Sequence, residues 1–220
     1  MTRWAMVIDI DRCVGCQACT IACKTENETP ADVWYAPVIE YEMGVFPDAR
    51  MVFLPVLCNH CEDAPCVQAC PTNALEKRPD GIVDYHQEAC CGTRACMNAC
   101  PYGALHINSG AVGETLFDGH RSERTVPDHR AAGRYQPGTI QKCTFCVHRV
   151  DHGLENGLEP GVDIEATPAC VVTCPAECRI FGDLDDAQSP VSRYLEQRGP
   201  GEVLRPEAQT GAHVFYVGGV

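Results

Sequence analysis

Aromatic side chains are scarce in this sequence, with 6 Phe, 7 Tyr and 2 Trp in 220 residues, and no apolar run approaches the ~20 residues needed to cross a bilayer. The longest, Met51 to Leu57, is short and interrupted by Pro55, so direct membrane insertion is not expected. Positive charge is also in short supply: 17 Lys and Arg stand against 30 Asp and Glu, a formal net charge of −13. A bare surface of that sign repels nucleic acid and anionic headgroups, so neither is an expected partner. The opening residues, Met1 to Asp9, hold neither a twin-arginine pair nor a signal-type apolar stretch, so the chain itself is expected to have no export address and no membrane anchor.

What the sequence has in excess is cysteine: 17 residues, beside 19 Gly and 16 Pro. The length allows one or two domains, but something besides apolar burial must hold them. Disulfides suit small secreted chains and even counts, and do not account for three Cys-Pro dipeptides. Zinc sites draw four tetrahedral ligands from two C-x2-C knuckles or from mixed Cys and His. Here the cysteines come in near-runs of four, which supply three ligands locally and send the fourth to a neighbouring site, the habit of cubane ferredoxins.

The first run is Cys13, Cys16, Cys19, Cys23, spaced C-x2-C-x2-C-x3-C, with Gly15 before the second cysteine to let the backbone wrap an inorganic core. A strand over Trp4 to Asp9 leads into it. Residues 33–41 and 50–54 are rich in β-formers around Gly44 and Pro47 and predict a hairpin, its aromatics serving as core cover. The second run is Cys58, Cys61, Cys66, Cys70 followed by Pro71, spaced C-x2-C-x4-C-x3-C-P. A turn at Pro79-Asp80-Gly81 feeds a strand over 82–85, and another strand is expected over 104–107. Residues 108–140 are polar and cysteine-free, an extended connector. The fourth run is Cys143, Cys146, Cys170, Cys174 with Pro175, closed by a strand over 179–183. Beyond Asp186 an irregular tail is expected as far as His213 to Val217, whose apolar character predicts docking on the chain itself or on a neighbour.

The third run, Cys90 to Pro101, has Thr93 where its second cysteine belongs. Two registers compete, because Cys91-x4-Cys96-x3-Cys100 copies the second run and places Glu88 in the first slot. Gly92 decides between them: Cys90-Cys91-Gly92-Thr93 superposes on Cys13-Val14-Gly15-Cys16, so Thr93 is the missing ligand. A hydroxyl is a hard, high-pKa donor for iron, so a [3Fe-4S] cluster is expected. A [4Fe-4S] completed by Cys91, by water or hydroxide, or by Thr93 stays open, as does an empty site.

With four such runs, the chain resembles the four-cluster iron-sulfur electron-transfer subunits of the dimethyl sulfoxide reductase and polysulfide reductase family of molybdopterin oxidoreductases. The resemblance rests on Cys13 to Cys23, Cys58 to Pro71, Cys96 to Ala104, and Lys142-Cys143-Thr144-Phe145-Cys146 with Cys170 to Pro175. It implies an α+β fold of two pseudo-symmetric bacterial-type 2x[4Fe-4S] ferredoxin-like modules with a hairpin insertion and an extended tail. The first run then pairs with the fourth and the second with the third. Cluster 1 takes Cys13, Cys16, Cys19 and Cys174; cluster 2 takes Cys58, Cys61, Cys66 and Cys100; cluster 3 takes Cys90, Cys96 and Cys70 with Thr93 at the empty slot; cluster 4 takes Cys143, Cys146, Cys170 and Cys23. The implied cofactors are three [4Fe-4S] clusters and one [3Fe-4S] or atypical [4Fe-4S]. Cys91 and Cys178 are left over, and Cys178 is expected as a buried thiol.

The implied layout is an outer module over 1–27 and 139–186, a hairpin insertion over 28–57, an inner module over 58–110, a connector over 111–138 and a tail over 187–220. The implied function is a relay of single electrons between a pterin-bearing catalytic subunit and a membrane quinone or haem subunit or soluble carrier, in anaerobic respiration, with no catalytic site of its own. The chain is expected at the periphery of a prokaryotic cytoplasmic membrane, held by its partners. A polyferredoxin subunit of a hydrogenase or formate-linked complex, a zinc-stapled interaction module, and a catalyst using the open iron at Thr93 as Lewis acid are the rival readings. Lys24, Lys77, Arg78, Arg94, Lys142 and Arg149 lie near ligands in sequence and are expected to be solvated or paired with acids. His60 is expected as a loop residue, since a Rieske iron needs two histidines and this run keeps all its cysteines.

Overall fold

A computed structural model describes residues 2–29, 32–107 and 136–219. The expected connector falls largely on 108–135, outside the described residues. The fold is α+β and is arranged around strand β1 (Trp4–Asp9), all six of whose residues are buried. β1 is the middle strand of a three-stranded sheet. On one side it pairs antiparallel with β8 (Arg179–Asp183), Trp4 opposite Asp183; on the other it pairs parallel with β9 (Val214–Val217), Met6 opposite Val214.

Burial on both faces explains why β1 is apolar throughout rather than alternating. Trp4, Met6 and Ile8 pack with Phe145 and Phe181 in the main core. Ala5 and Val7 face Val191 and Val217 in a second, smaller layer. That layer is closed by helix α6 (Pro190–Arg198), so the tail is not irregular as expected. Its start carries a helix signal: Ser189 at the N-cap accepts a hydrogen bond from the Ser192 N–H at 3.3 Å, and Pro190 occupies the first turn. The 213–217 segment docks on its own chain, as β9. Asp9, 1% exposed, is held at the end of β1 by the Tyr194 hydroxyl at 2.6 Å and Arg198 at 3.1 Å.

The predicted hairpin forms from β2 (Val38–Met43) and β3 (Arg50–Pro55). Two small antiparallel pairs follow: β4 (Leu75–Lys77) with β5 (Val83–Tyr85), and β6 (Leu105–Ile107) with β7 (Ile140–Lys142). Each run carries a helix: α1 (Ala18–Asn27), α2 (Pro65–Gln68), α3 (Ala95–Ala99), and, in the fourth run, α4 (Val147–Glu155) and α5 (Ala169–Val172). α1 packs on α5, and α2 on α3. Most buried cysteines follow this division: Cys19, Cys23, Cys143 and Cys170 lie in the main core, Cys61, Cys66 and Cys96 in a separate apolar group with Leu75, Val83 and Leu105, while Cys58 of the second run packs in the main core. Among the described residues no helix is long and apolar enough to cross a membrane.

Candidate metal centres

The runs share a backbone. In the first, Gly15 has φ 68° and Gln17 φ 61° before α1; in the third, Gly92 has φ 70° and Arg94 φ 60° before α3. Two residues in the left-handed region, spaced alike, put Thr93 where Cys16 stands. Glu88, the first ligand in the rival register, lies instead in an exposed 3₁₀ turn. A second signature follows each Cys-Pro pair: Asn73, Gly103 and Glu177, three residues beyond Cys70, Cys100 and Cys174, have φ 53°, 62° and 48°. Gly15 has a second role besides the one expected of it in the cluster loop. A Cβ there would lie 2.3 Å from the Phe53 ring, so besides its positive φ the glycine serves the hairpin that covers the loop.

All 17 cysteines are free thiols, and they converge across the sequence. Cys23, at the end of α1, faces Cys143, Cys170 and Cys146 from more than a hundred residues away; burial first, then those three thiols, push its pKa well up. Burial likewise raises Cys66 to about 12, with Cys58, Cys100 and Cys61 around it. Cys96 faces Cys70 and Cys90. Together with Thr93 and Cys91, these three line about 220 Å³ of empty space, part of it open to solvent. For the first set the contacts run through Cys178, which faces Cys13 and lies 3.4 Å from the Cys174 sulfur. Its hydrogen bond holds Cys174 down to about 5, and Cys16 is exposed on the loop that carries Cys13. Cys178 is buried, as expected.

The sets adjoin one another. Cys19 adds to the raised pKa of Cys170, and Cys58 to that of Cys143, so thiols of the fourth run neighbour thiols of the first and of the second, while α2 packs on α3. Among the described residues no three Cys, His, Asp or Glu side chains are spaced to hold a single metal ion.

The donors fit iron-sulfur clusters. Every converging donor but Thr93 is a soft thiol. Burial sends Cys143 up and Cys146 to about 12, so facing thiolates become stable there only around a cationic core. Donors are in place for anionic sulfur: Ala74 N–H to Cys70 at 3.2 Å, Phe145 N–H to Cys143 at 3.4 Å, Ile140 N–H to Cys90 at 3.5 Å, and the Asn27 amide to Cys23 at 3.5 Å and Cys146 at 3.9 Å.

Most of the nearby cations are paired or exposed as expected. Arg78 binds Asp80 and Asp151, Arg149 binds Glu26, Lys77 binds Glu62, Lys24 lies over the Trp34 ring, and Arg94 is exposed. Lys142 departs from that expectation: it is wholly buried and donates to the Val83 and Cys143 carbonyls. Sequence reasoning missed Asn27, whose only signal is its place four residues after Cys23. It also missed Arg179, a buried guanidinium 3.9 Å from the Cys170 sulfur. His60 is a loop residue, as expected, but one shielded from solvent. It is fully buried at φ 45°, and its ring lies 3.8 Å from that of Phe145, joining the second run to the fourth.

Residues 49–116 match a 4Fe-4S dicluster domain and residues 4–25 a 4Fe-4S binding domain. The chain is 39% identical to the arsenate respiratory reductase iron-sulfur subunit of Shewanella sp. (strain ANA-3), covering 98% of this chain and 96% of that protein. It is 38% identical to a tetrathionate reductase subunit of Salmonella typhimurium and 34% identical to a selenate reductase subunit of Mesobacillus selenatarsenatis, each over 98% of this chain and 72% of the relative. With thiol sets that match this kinship, the chain belongs to the family of iron-sulfur electron-transfer subunits of molybdopterin oxidoreductases.

Proposed function

We propose that the chain holds four iron-sulfur clusters in a row and passes single electrons along them between a pterin-bearing catalytic subunit and a second partner, a membrane quinone or haem subunit or a soluble carrier. The observation that carries this reading is the meeting of Cys23 with Cys143, Cys146 and Cys170, matched by that of Cys100 with Cys58, Cys61 and Cys66. The fourth cysteine of one run joins the first three of another in both cases, as a two-cluster ferredoxin unit requires.

The full assignment is cluster 1 on Cys13, Cys16, Cys19 and Cys174; cluster 2 on Cys58, Cys61, Cys66 and Cys100; cluster 3 on Cys70, Cys90 and Cys96; and cluster 4 on Cys23, Cys143, Cys146 and Cys170. Bound clusters supply reversible one-electron chemistry, with potentials set by cluster type, charge and hydrogen bonds to sulfur. The chain's own residues fix the spacing, exclude water from the inner sets and aim N–H groups at the sulfurs. Two pseudo-symmetric modules, 1–27 with 139–186 and 58–110, divide the clusters, and the packing of α1 on α5 and of α2 on α3 supports that division. Cluster 3, with Thr93 in the ligand slot, is the [3Fe-4S] member. The complex sits at a prokaryotic cytoplasmic membrane through a partner subunit.

Iron and acid-labile sulfide in the anaerobically purified chain test the reading. About 15 iron and about 16 sulfide per chain are expected for three cubanes and one three-iron cluster, and an oxidised-state EPR signal of the three-iron type. Zinc without sulfide would refute it.

A further inference from the structure

We propose that Arg179 and Lys142 are buried counter-cations shared by neighbouring clusters, Arg179 between clusters 1 and 4 and Lys142 between clusters 4 and 2, and that each raises the reduction potentials of the two clusters it separates. This deepens the relay reading and rests on its ligand assignment.

Both side chains are in unusual settings. Arg179 is 2% exposed and Lys142 0%, and among the described residues neither makes an ion pair. The Nε and Nη2 of Arg179 have no hydrogen-bond partner. Its Nη1 reaches only sulfur, that of Met6 at 3.7 Å and of Cys170 at 3.9 Å. Lys142 donates to two carbonyls, those of Val83 and Cys143. A charge buried among neutral acceptors costs several kcal/mol or more, and a guanidinium cannot escape that cost by losing its proton.

The groups able to compensate Arg179 are the cysteines it faces, Cys170 of cluster 4 and Cys19 of cluster 1, with Tyr216 and Cys178 beyond them. Lys142 is bonded to the main chain of Cys143 of cluster 4 and of Val83, which packs in one apolar group with Cys66 of cluster 2, and its charge partly offsets the rise that burial gives the Cys66 pKa. A cubane on four thiolates is net negative and gains one more negative charge on reduction. A fixed cation between two such groups stabilises the reduced form of both. Among the described residues no buried cation lines the cavity of cluster 3, where Arg94 is exposed, so cluster 3 serves as the internal control.

The test is potentiometric titration, followed by EPR, of the full chain purified anaerobically, with clusters assigned through Cys16→Ser and Cys61→Ser. Arg179→Gln is expected to lower the potentials of clusters 1 and 4 and leave 2 and 3 in place. Lys142→Met is expected to lower 4 and 2 and leave 1 and 3. Each shift should change the reduced-to-oxidised ratio at fixed ambient potential roughly tenfold or more. Arg179→Lys and Lys142→Arg keep the charge and should keep the wild-type values; if a charge-removing variant fails to assemble, its charge-keeping counterpart and the other pair still decide. The proposal is overturned by unchanged potentials, by all four clusters moving together, or by charge-keeping variants that shift as far as charge-removing ones. Absence of iron and sulfide from the wild-type chain would instead overturn the relay reading.

Discussion

Thr93 stands in a backbone setting that elsewhere in the chain carries a cysteine, between Gly92 at φ 70° and Arg94 at φ 60°. Because the peptide geometry already matches the first run, a thiol at this position needs no rearrangement to reach the cavity. Thr93→Cys is expected to add about one iron per chain and to abolish the three-iron EPR signal; unchanged iron content would sink the assignment. His213 is a second residue with a measurable signature. Burial, then Lys77, lower its pKa to about 4, and His60 is pushed well down by burial and Lys142. Both are neutral in the fold, while the unfolded chain takes up protons from about pH 6.5 downward. Stability is therefore full above about 6.5 and falls as pH drops towards 4, by up to about 1.4 kcal/mol per pH unit for each histidine. In thermal melts across that window, His213→Gln should flatten part of the slope. Identical profiles for variant and wild type would contradict the assignment.

At the scale of elements, the hairpin and the tail act as covers for cluster loops. β3 places Phe53 against Gly15, whose φ of 68° and missing Cβ admit the ring. Gly15→Ala should cost about 1–3 kcal/mol from left-handed strain and overlap. Adding Phe53→Ala should recover the overlap part, so a double-mutant cycle that closes with no coupling would rule out this packing account. β9 completes the central sheet, and Val214, 0% exposed, packs into the main core beside Met6 and Phe181. Val214→Asp buries an unpaired carboxylate and should destabilise by about 3 kcal/mol or more, measured as the midpoint of thermal unfolding. Unaltered stability would mean that the tail is dispensable.

For the molecule as a whole, cysteines are members of both main apolar groups, so cluster assembly is expected to be coupled to folding. Stripping iron with a chelator under reducing conditions should broaden or abolish the cooperative unfolding transition, because facing thiols then lose the core that draws the runs together. A sharp, unshifted transition in the iron-free chain would show that apolar packing alone suffices. The proposed order 1, 4, 2, 3 is also a property of the whole. The nearness of Cys170 to Cys19 and of Cys143 to Cys58, through which the second of each pair adds to the raised pKa of the first, supports it, and no single run contains it.

The repeated spacing of cysteine, proline and glycine by itself determined the soft donors, the four runs and the slot that Thr93 occupies, because ligand spacing is local and each run needs only a few residues to turn. The β1 strand, the hairpin and the strand over 179–183 were legible for the same reason, through apolar and β-branched patterning. α6 was overlooked although Ser189-Pro190 announced its start, since its one fully buried residue, Val191, leaves too faint an apolar stripe to read. Only the tertiary structure decided which thiols of distant runs meet, that the tail pairs with β1, and that Arg179 and Lys142 lie buried while the other cations near the runs pair or face solvent. Burial and charge compensation depend on what the rest of the chain packs around a residue, and a residue's sequence neighbours do not fix that.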